Sequence, residues 1–305
     1  MLSLTHHSIV QCTQEPFFRS SYNFPDETVE KILRFGAPIG STIEHHLRIP
    51  RCMARIQDLI NLAEERGTSL PSGTIVLAEE LKSGSGRFDR EWFAPLGGIW
   101  MALAWADTLL PEYSRLLPLA AGTACCETIR KFGVKAMLKW VNDIHVNGRK
   151  IGGILCETFS GRTSGERYHI IGIGINCNIT RFARELRDSA VSMLDILGHP
   201  VDLEKFAVEL MARLAWNFGL VHYQEELGFM KNNGGTGQNE KGLVLDSWLK
   251  LSDTIGRRIV YGYDVVRHPL YEGIVRNVKS SGALVVELES GETVTEHSGE
   301  IIYLS

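Results

Sequence analysis

Three short stretches carry residue types suited to anion chemistry. The first is Gly84-Ser85-Gly86-Arg87, followed by Arg90 and Trp92. A glycine-rich turn after a strand exposes backbone N–H groups, which suit phosphate or carboxylate. Arg87 can fork onto an anionic oxygen, and Trp92 can stack on a flat ring or cover an apolar tail. The Gly-Lys-Ser/Thr end of a P-loop is missing, and a tight surface turn would read the same way. The second stretch is Lys139-Trp140-Val141-Asn142-Asp143-Ile144, leading to Arg149-Lys150-Ile151-Gly152-Gly153. Lys139, Asn142 and Asp143 interrupt strand material, and Lys150 opens a strand whose glycines leave the backbone unobstructed. A lysine there can neutralise negative charge developing on phosphate or carboxylate. A hairpin salt bridge between Asp143 and Lys150, worth under about 1 kcal/mol at a surface, is the plainer alternative. The glycine pair favours a site. The third is Gly172-Ile173-Gly174-Ile175-Asn176. It lacks the third glycine and the helix of a dinucleotide fingerprint. Asn176 offers a donor and an acceptor to an adenine or amide edge, but close strand packing would also explain the glycines.

These stretches need elements to hold them. Apolar residues at Met53, Ile56, Leu59, Ile60 and Ala63 predict a helix over 52–66, ended by Gly67. Residues 74–78 read as a buried strand running into the Gly84 turn, and 98–105 as a second apolar run. A helix is predicted over 116–132. Strands follow at 137–140, 144–146, 151–157 and 168–175, with Asn147-Gly148 a type I′ hairpin signal. A long amphipathic helix is predicted over 203–223. Residues 1–49 have weak periodicity and read as an N-terminal extension. Residues 50–231 read as the catalytic domain, 232–251 as a Gly-rich linker, and 252–305 as a small barrel of short strands. The order predicts an α+β protein, a mixed sheet with flanking helices, rather than a doubly wound parallel sheet.

The chain has 305 residues, 44% of them hydrophobic and 22% charged. This is ordinary globular composition and excludes a wholly disordered chain. A net charge of −4 gives no global attraction to nucleic acid, so no nucleic-acid partner is expected. The longest apolar stretch is broken by Asp107, so no membrane span is expected. Cys12, Cys52, Cys125, Cys126, Cys156 and Cys177 form no CxxC pair and read as reduced thiols of a cytoplasmic protein. No metal site is indicated by direct motif; His6-His7 and His45-His46 read as surface residues.

Each motif is ambiguous alone, but their order is not. AEELKSGSGRFDREWFAP, then KWVNDI, GRKIGGIL and GIGINCN resembles the biotin–protein ligase family. The terminal YEGIVRNVKSSGALVVEL and GETVTEHSGEI are similar to that family's SH3-like β-barrel. The resemblance covers roughly residues 50–305. It implies the class II aminoacyl-tRNA synthetase-like fold shared by biotin and lipoate ligases. It also implies a two-step reaction: biotin and Mg2+-ATP form biotinyl-5′-AMP, and the acyl group then passes to a lysine of the biotin carrier domain of a carboxylase.

Carried over by position, the resemblance gives Lys150 the role of the essential lysine, binding the biotin carboxylate and the α-phosphate. Gly84, Ser85, Gly86 and Arg87 match the adenylate-binding loop, and Trp92 the tryptophan after it. Asn142 and Asp143 match an Asn-Asp pair that handles Mg-phosphate or the acceptor lysine, and Asn176 an asparagine near the adenine. Lys139, Gly152 and Gly153 complete the expected adenylate site. Departures are clear. Ser85 and Asp89 stand where the family has arginine and glycine. Leu81 replaces a glutamine that touches biotin, Arg51-Cys52 falls at a Ser-Thr biotin contact, and Val141 replaces proline. Arg51, Cys52 and Leu81 are therefore the candidate biotin-pocket residues. Losing one loop arginine removes a charge-assisted contact, nominally about 1.5–3 kcal/mol. Two alternatives stay open: a ligase for lipoate or another carboxylic acid, and a non-catalytic binder of ligand or carrier domain. The segment before Arg51 lacks a helix-turn-helix with a basic recognition helix, so repression through DNA is not expected. The oligomeric state stays open, a homodimer included.

Overall fold

A computed structural model describes residues 4–15, 24–232 and 242–304. The central sheet forms where apolar alternation is strongest. Its strands are β1 (Ile43–Ile49), β2 (Ile75–Leu81), β3 (Ile99–Ala106), β4 (Met137–Lys139), β5 (Asp143–Val146), β6 (Arg149–Ser160) and β7 (Arg167–Ile175). They lie in the order β1-β2-β3-β7-β6-β5-β4. β1 runs parallel to β2 and every other pairing is antiparallel, so the sheet is mixed, as expected. Asn147 and Gly148 both take positive φ, 50° and 80°, which closes the β5–β6 hairpin as the sequence predicts.

Period-2 alternation sends β-strand side chains to two covered faces. On one face, Val76, Ala78, Ala102, Ala104 and Ile170 pack against Ile56 and Ile60 of helix α3 (Cys52–Glu65). On the other, Leu77, Met101, Leu103, Ile171 and Ile173 join a core with helix α5 (Leu117–Lys131) and the long helix α7 (Leu203–Asn232). Short helices α4 (Pro111–Ser114) and α6 (Met193–Leu197) complete the connections.

Four expectations need correction. First, the described residues of the stretch read as an N-terminal extension, 4–15 and 24–49, pack into the main domain. Helices α1 (His6–Thr13) and α2 (Asp26–Gly36) bury Ile9, Val29 and Ile32 against the same core as α7, and β1 joins the main sheet. The α2–α7 crossing is close because Gly36 and Gly219 lack Cβ atoms; an added Cβ would meet Ala215 O at 1.8 Å and Ile32 O at 2.0 Å. Second, the predicted 203–223 helix continues to Asn232, since no helix breaker intervenes before Gly228, whose backbone stays helical. Third, the expected 232–251 linker contains helix α8 (Leu243–Leu249), anchored by buried Val244, Leu245 and Trp248. Its Gly-rich part, 233–241, lies outside the described residues. Fourth, the C-terminal module is a five-stranded antiparallel sheet of β8 (Arg258–Gly262), β9 (Tyr271–Val278), β10 (Leu284–Leu288), β11 (Thr293–Glu296) and β12 (Glu300–Tyr303), in the order β11-β10-β9-β8-β12. β11 and β12 are its edges, so the sheet has the SH3-like layout without closing as a barrel.

Candidate active site

The floor of the site is a cross-strand glycine pair. Gly153 of β6 sits opposite Gly174 of β7, and Gly172 sits opposite Leu155. An added Cβ on Gly174 would lie 2.8 Å from the Trp92 indole, one on Gly153 3.0 Å from Lys150 Cε, and one on Gly172 2.6 Å from Met53 Sδ. The missing side chains therefore let the indole, the lysine and the thioether lie directly on backbone, which explains glycine at these positions. Gly152 belongs to the other face: its added Cβ would point at Gly174 O and the Ile144 side chain.

The charged wall comes from the β5–β6 hairpin. Lys150 Nζ lies 2.5 Å from Asp143 Oδ1, and Lys139 Nζ 3.8 Å from Asp143 Oδ2. Lys150 also stands over the Trp92 ring, 5.1 Å from its centroid. Burial alone would raise the Asp143 carboxyl, but the charges of Lys150, Lys139 and Arg87 outweigh it and hold the group below its ordinary range. Asn142 donates from Nδ2 to Ile154 O at 2.7 Å, which ties the start of β5 across to β6. The Trp140–Val141 peptide just before it is cis.

The loop from Gly84 to Trp92 folds back on itself. Gly86 N donates to Arg90 O and Trp92 N to Gly84 O, around a 3-10 turn at Arg87–Asp89 in which Phe88 has φ 56°. Gly84 allows the return strand close, since an added Cβ would meet Trp92 O at 2.4 Å. Arg87 Nη1 donates to Gly299 O at 2.7 Å and to Asn142 Oδ1 at 3.4 Å. Burial lowers the Arg87 pKa, with Glu300 and Asp143 opposing. Arg90 pairs with Glu300 at 2.8 Å and, more closely, with Asp264. The C-terminal module thus grips this loop.

Together these parts line a cavity of about 270 Å³. Its wall includes Arg51, Cys52, Leu81, Gly84, Ser85, Gly86, Arg87, Trp92, Asn142, Asp143, Lys150 and Gly153, which brings together most of the residues singled out from sequence. A second cleft of about 450 Å³ adjoins it and shares Arg51, Ser85, Gly86 and Arg87, with Phe88, Tyr263 and Gly299 at its rim. Lys139 is not on the cavity wall and reaches the site through Asp143. Asn176 is buried behind it, donating from Nδ2 to Val191 O at 3.2 Å and to Lys150 O at 3.4 Å, so it braces the β6 start. Cys52 donates from Sγ to Trp100 O at 3.4 Å, and burial pushes its thiol up to about 12, which makes it an inert wall group. The indole N–H of Trp92 is buried with no protein partner among the described residues.

Sequence reading missed Met53, Gly299, Glu300 and Asp264. Nothing local marks the last three, because they approach from the far end of the chain. Among the described residues, the one cluster of three possible metal ligands is Cys12, Glu15 and Glu209, where the end of α1 meets α7. No helix among them is long and apolar enough to cross a membrane.

A mixed sheet carrying a glycine-floored, lysine- and arginine-walled cleft, joined to an SH3-like module, defines an α+β protein with a cationic cleft. The comparisons make it specific. Residues 52–177 match the model of the Biotin/lipoate A/B protein ligase family. The chain is 31% identical over 232 residues to a biotin–acetyl-CoA-carboxylase ligase of Paracoccus denitrificans, covering 72% of this chain and 86% of that one. It is 29% identical over 225 residues to the bifunctional ligase/repressor BirA of Salmonella typhimurium, covering 73% of this chain and 64% of that protein. Against the Bacillus subtilis BirA the match spans 55% of the relative, so the chain covers less than two thirds of the ligase/repressors it matches. The fold is that of a biotin protein ligase from Aquifex aeolicus in complex with biotin and ATP, at TM-score 0.65 and 20% identity, covering 86% of this chain and 98% of that one. The chain belongs to the biotin–protein ligase family.

Proposed function

We propose that the chain is an ATP-dependent ligase that activates biotin as biotinyl-5′-AMP and transfers it to a lysine of a biotin carrier domain. The observation that carries this reading is the position of Lys150: its ammonium stands at the cavity wall over the glycine floor, beside the Arg87 loop. Adenylation brings two anions together, a carboxylate oxygen and the α-phosphate of ATP. The carboxylate forms a C–O–P bond while the α–β phosphoanhydride breaks and pyrophosphate leaves. Lys150 and Arg87 offset the repulsion, and the backbone N–H groups of Gly84 and Ser85 add partial positive charge. Trp92 covers the product from water, its indole lying flat on the glycine floor.

In the second step the acceptor amine attacks the acyl carbonyl and AMP leaves. Asp143, held anionic by its lysines, attracts the acceptor ammonium into the cleft before it is deprotonated. Mg2+ fits as a passenger of ATP: of the wall carboxylates Glu91, Asp143 and Glu300, Glu300 is taken up by Arg90, and such an ion would draw most of its ligands from phosphate and water. Cytoplasmic location follows from the substrates, ATP and a carboxylase. Incubation with biotin, ATP and pyrophosphate tests the reading. Biotin-dependent ATP–pyrophosphate exchange is expected from the wild type, and none from Lys150→Ala.

A second reading has a specific observation behind it. The inner wall carries Cys52, Met53, Leu81, Trp100 and Ile173, and the Cys52 hydrogen is already donated to Trp100 O. This lining suits an acid with an apolar tail, such as lipoate, as well as a ureido ring. Exchange with lipoate and none with biotin would overturn the first reading in favour of this one.

A further inference from the structure

The strand that carries Lys139 is held by two domains. β4 pairs with β5 on one side. On the other side the C-terminal part of the chain takes its free edge. Leu138 N donates to Leu251 O at 2.8 Å, and Ser252 Oγ donates to Leu138 O at 2.9 Å. Trp140 N donates to Thr254 Oγ1 at 3.1 Å, and Trp140 Nε1 to Gly282 O at 2.9 Å.

β12 then delivers Tyr303 to the same spot. The Lys139 ammonium lies 5.5 Å from the Tyr303 ring centroid and the Arg257 guanidinium 5.1 Å from it, both within cation–π range. The Tyr303 hydroxyl donates to Asp253 Oδ1 at 2.9 Å and lies 2.9 Å from Thr254 Oγ1. Asp253 Oδ1 also meets His145 Nε2 at 3.0 Å, while Gly148 N donates to His145 Nδ1, so Nε2 carries the proton. Two bonds at its hydroxyl and a T-shaped contact with His145 hold the ring in place.

We propose that Tyr303 is a positioning residue for adenylation, acting through Lys139 on Asp143. This rests on the ligase reading. Lys139 is a long, flexible side chain whose ammonium needs a fixed resting place. The Tyr303 ring supplies one, 3.8 Å from the outer oxygen of Asp143. Asp143 then shares its charge between two lysines. Without Lys139 in place, the carboxylate holds Lys150 alone and more tightly, and the catalytic ammonium is less available to the substrate anions. Tyr303 is no part of the cavity wall, so it affects rate rather than substrate affinity.

The test is ATP–pyrophosphate exchange by the full chain carrying Tyr303→Leu, Tyr303→Phe, or phenylalanines of increasing fluorination at 303. Tyr303→Leu is expected to lower kcat about tenfold, with KM for ATP and acid within twofold of wild type. Tyr303→Phe keeps the ring and loses less than threefold, and each added fluorine lowers kcat further. In a Lys139→Met background, Tyr303→Leu has no additional effect. An additive double variant, a phenylalanine variant as slow as leucine, or a fluorinated series with no trend overturns the proposal. The fluorinated series preserves shape, so it reports even if the leucine variant fails to fold. The Lys139 ε-methylene protons supply a readout independent of catalysis: a ring-current shift in the wild type, lost in Tyr303→Leu. Its absence from the wild type overturns the placement itself. A wild type that shows the shift but exchanges with no acid sinks the ligase reading instead, and the role in adenylation with it.

Discussion

The loop from Gly84 to Trp92 and the β5–β6 hairpin face each other across one cavity, and they are held in opposite ways. The hairpin is set by sheet register: Asp143 pairs with Gly153, and every backbone group near Lys150 has a ladder or bracing partner. The loop is set by charge. Arg90 reaches Glu300 and Asp264, Arg87 reaches Gly299 O, and Phe88 sits in the left-handed region. Hydrogen-bonded register resists salt and small substitutions better than partly exposed ion pairs do. The comparison assigns the reacting charges to the rigid side and the cover to the adjustable side. Lid loops are drawn from the less stable parts of a fold for the same reason.

The largest expected effect comes from emptying the rigid side. Lys150→Ala is expected to lower adenylation about 10³-fold, because the developing charge loses its nearest cation. Single-turnover formation of the adenylate measures it, and a loss below tenfold would break the assignment. Filling the floor comes next. Gly174→Val is expected to lower kcat/KM about 10²-fold by displacing the Trp92 indole from the strand it lies on. A valine variant with normal kinetics would show that Trp92 need not lie on the strand.

The adjustable side should respond less. Arg90→Ala is expected to speed adenylate release about fivefold in a chase experiment, and raising salt in the wild type should mimic it. A salt-independent release rate would mean that the ion pairs to the C-terminal module do not hold the cover. Retention as tight as in ligases with the full arginine loop would also rule out the leakiness expected from Ser85. The smallest effect is on stability against pH. The Asp143 carboxyl is held below its ordinary value of 3.8 by its cationic neighbours. A depressed carboxyl contributes stability that is present above its unfolded value and lost as the pH falls through its folded value. Asp143→Asn is therefore expected to shift the acid-unfolding midpoint by about 0.3 pH units and to flatten the wild-type loss below about pH 4. An unchanged acid profile would place the three cations too far away to matter.

Legibility in sequence follows the same division. The hairpin was readable because its chemistry is local: Asn-Gly marks the turn, and Lys150 beside two glycines marks a cation over open backbone. The glycine-rich loop was readable as a turn, but not its anchors, since Asp264 and Glu300 lie more than 170 residues away in the chain. Asn176 reads as a ligand group by type, yet the fold turns its amide onto the Lys150 and Val191 carbonyls. Gly152 and Gly153 look equivalent in sequence, and strand alternation sends one to the core and one to the site. Where α2 packs was not readable, because its close crossing with α7 depends on Gly36 and Gly219, far apart in the chain.

The most direct test of the central claim is transfer of labelled biotin from ATP-activated adenylate to a purified biotin carrier domain. The account predicts stoichiometric, ATP-dependent labelling of one carrier lysine by the wild type and none by Lys150→Ala. Labelling by Lys150→Ala at the wild-type rate, or a wild type that labels the carrier with lipoate and never with biotin, would contradict it.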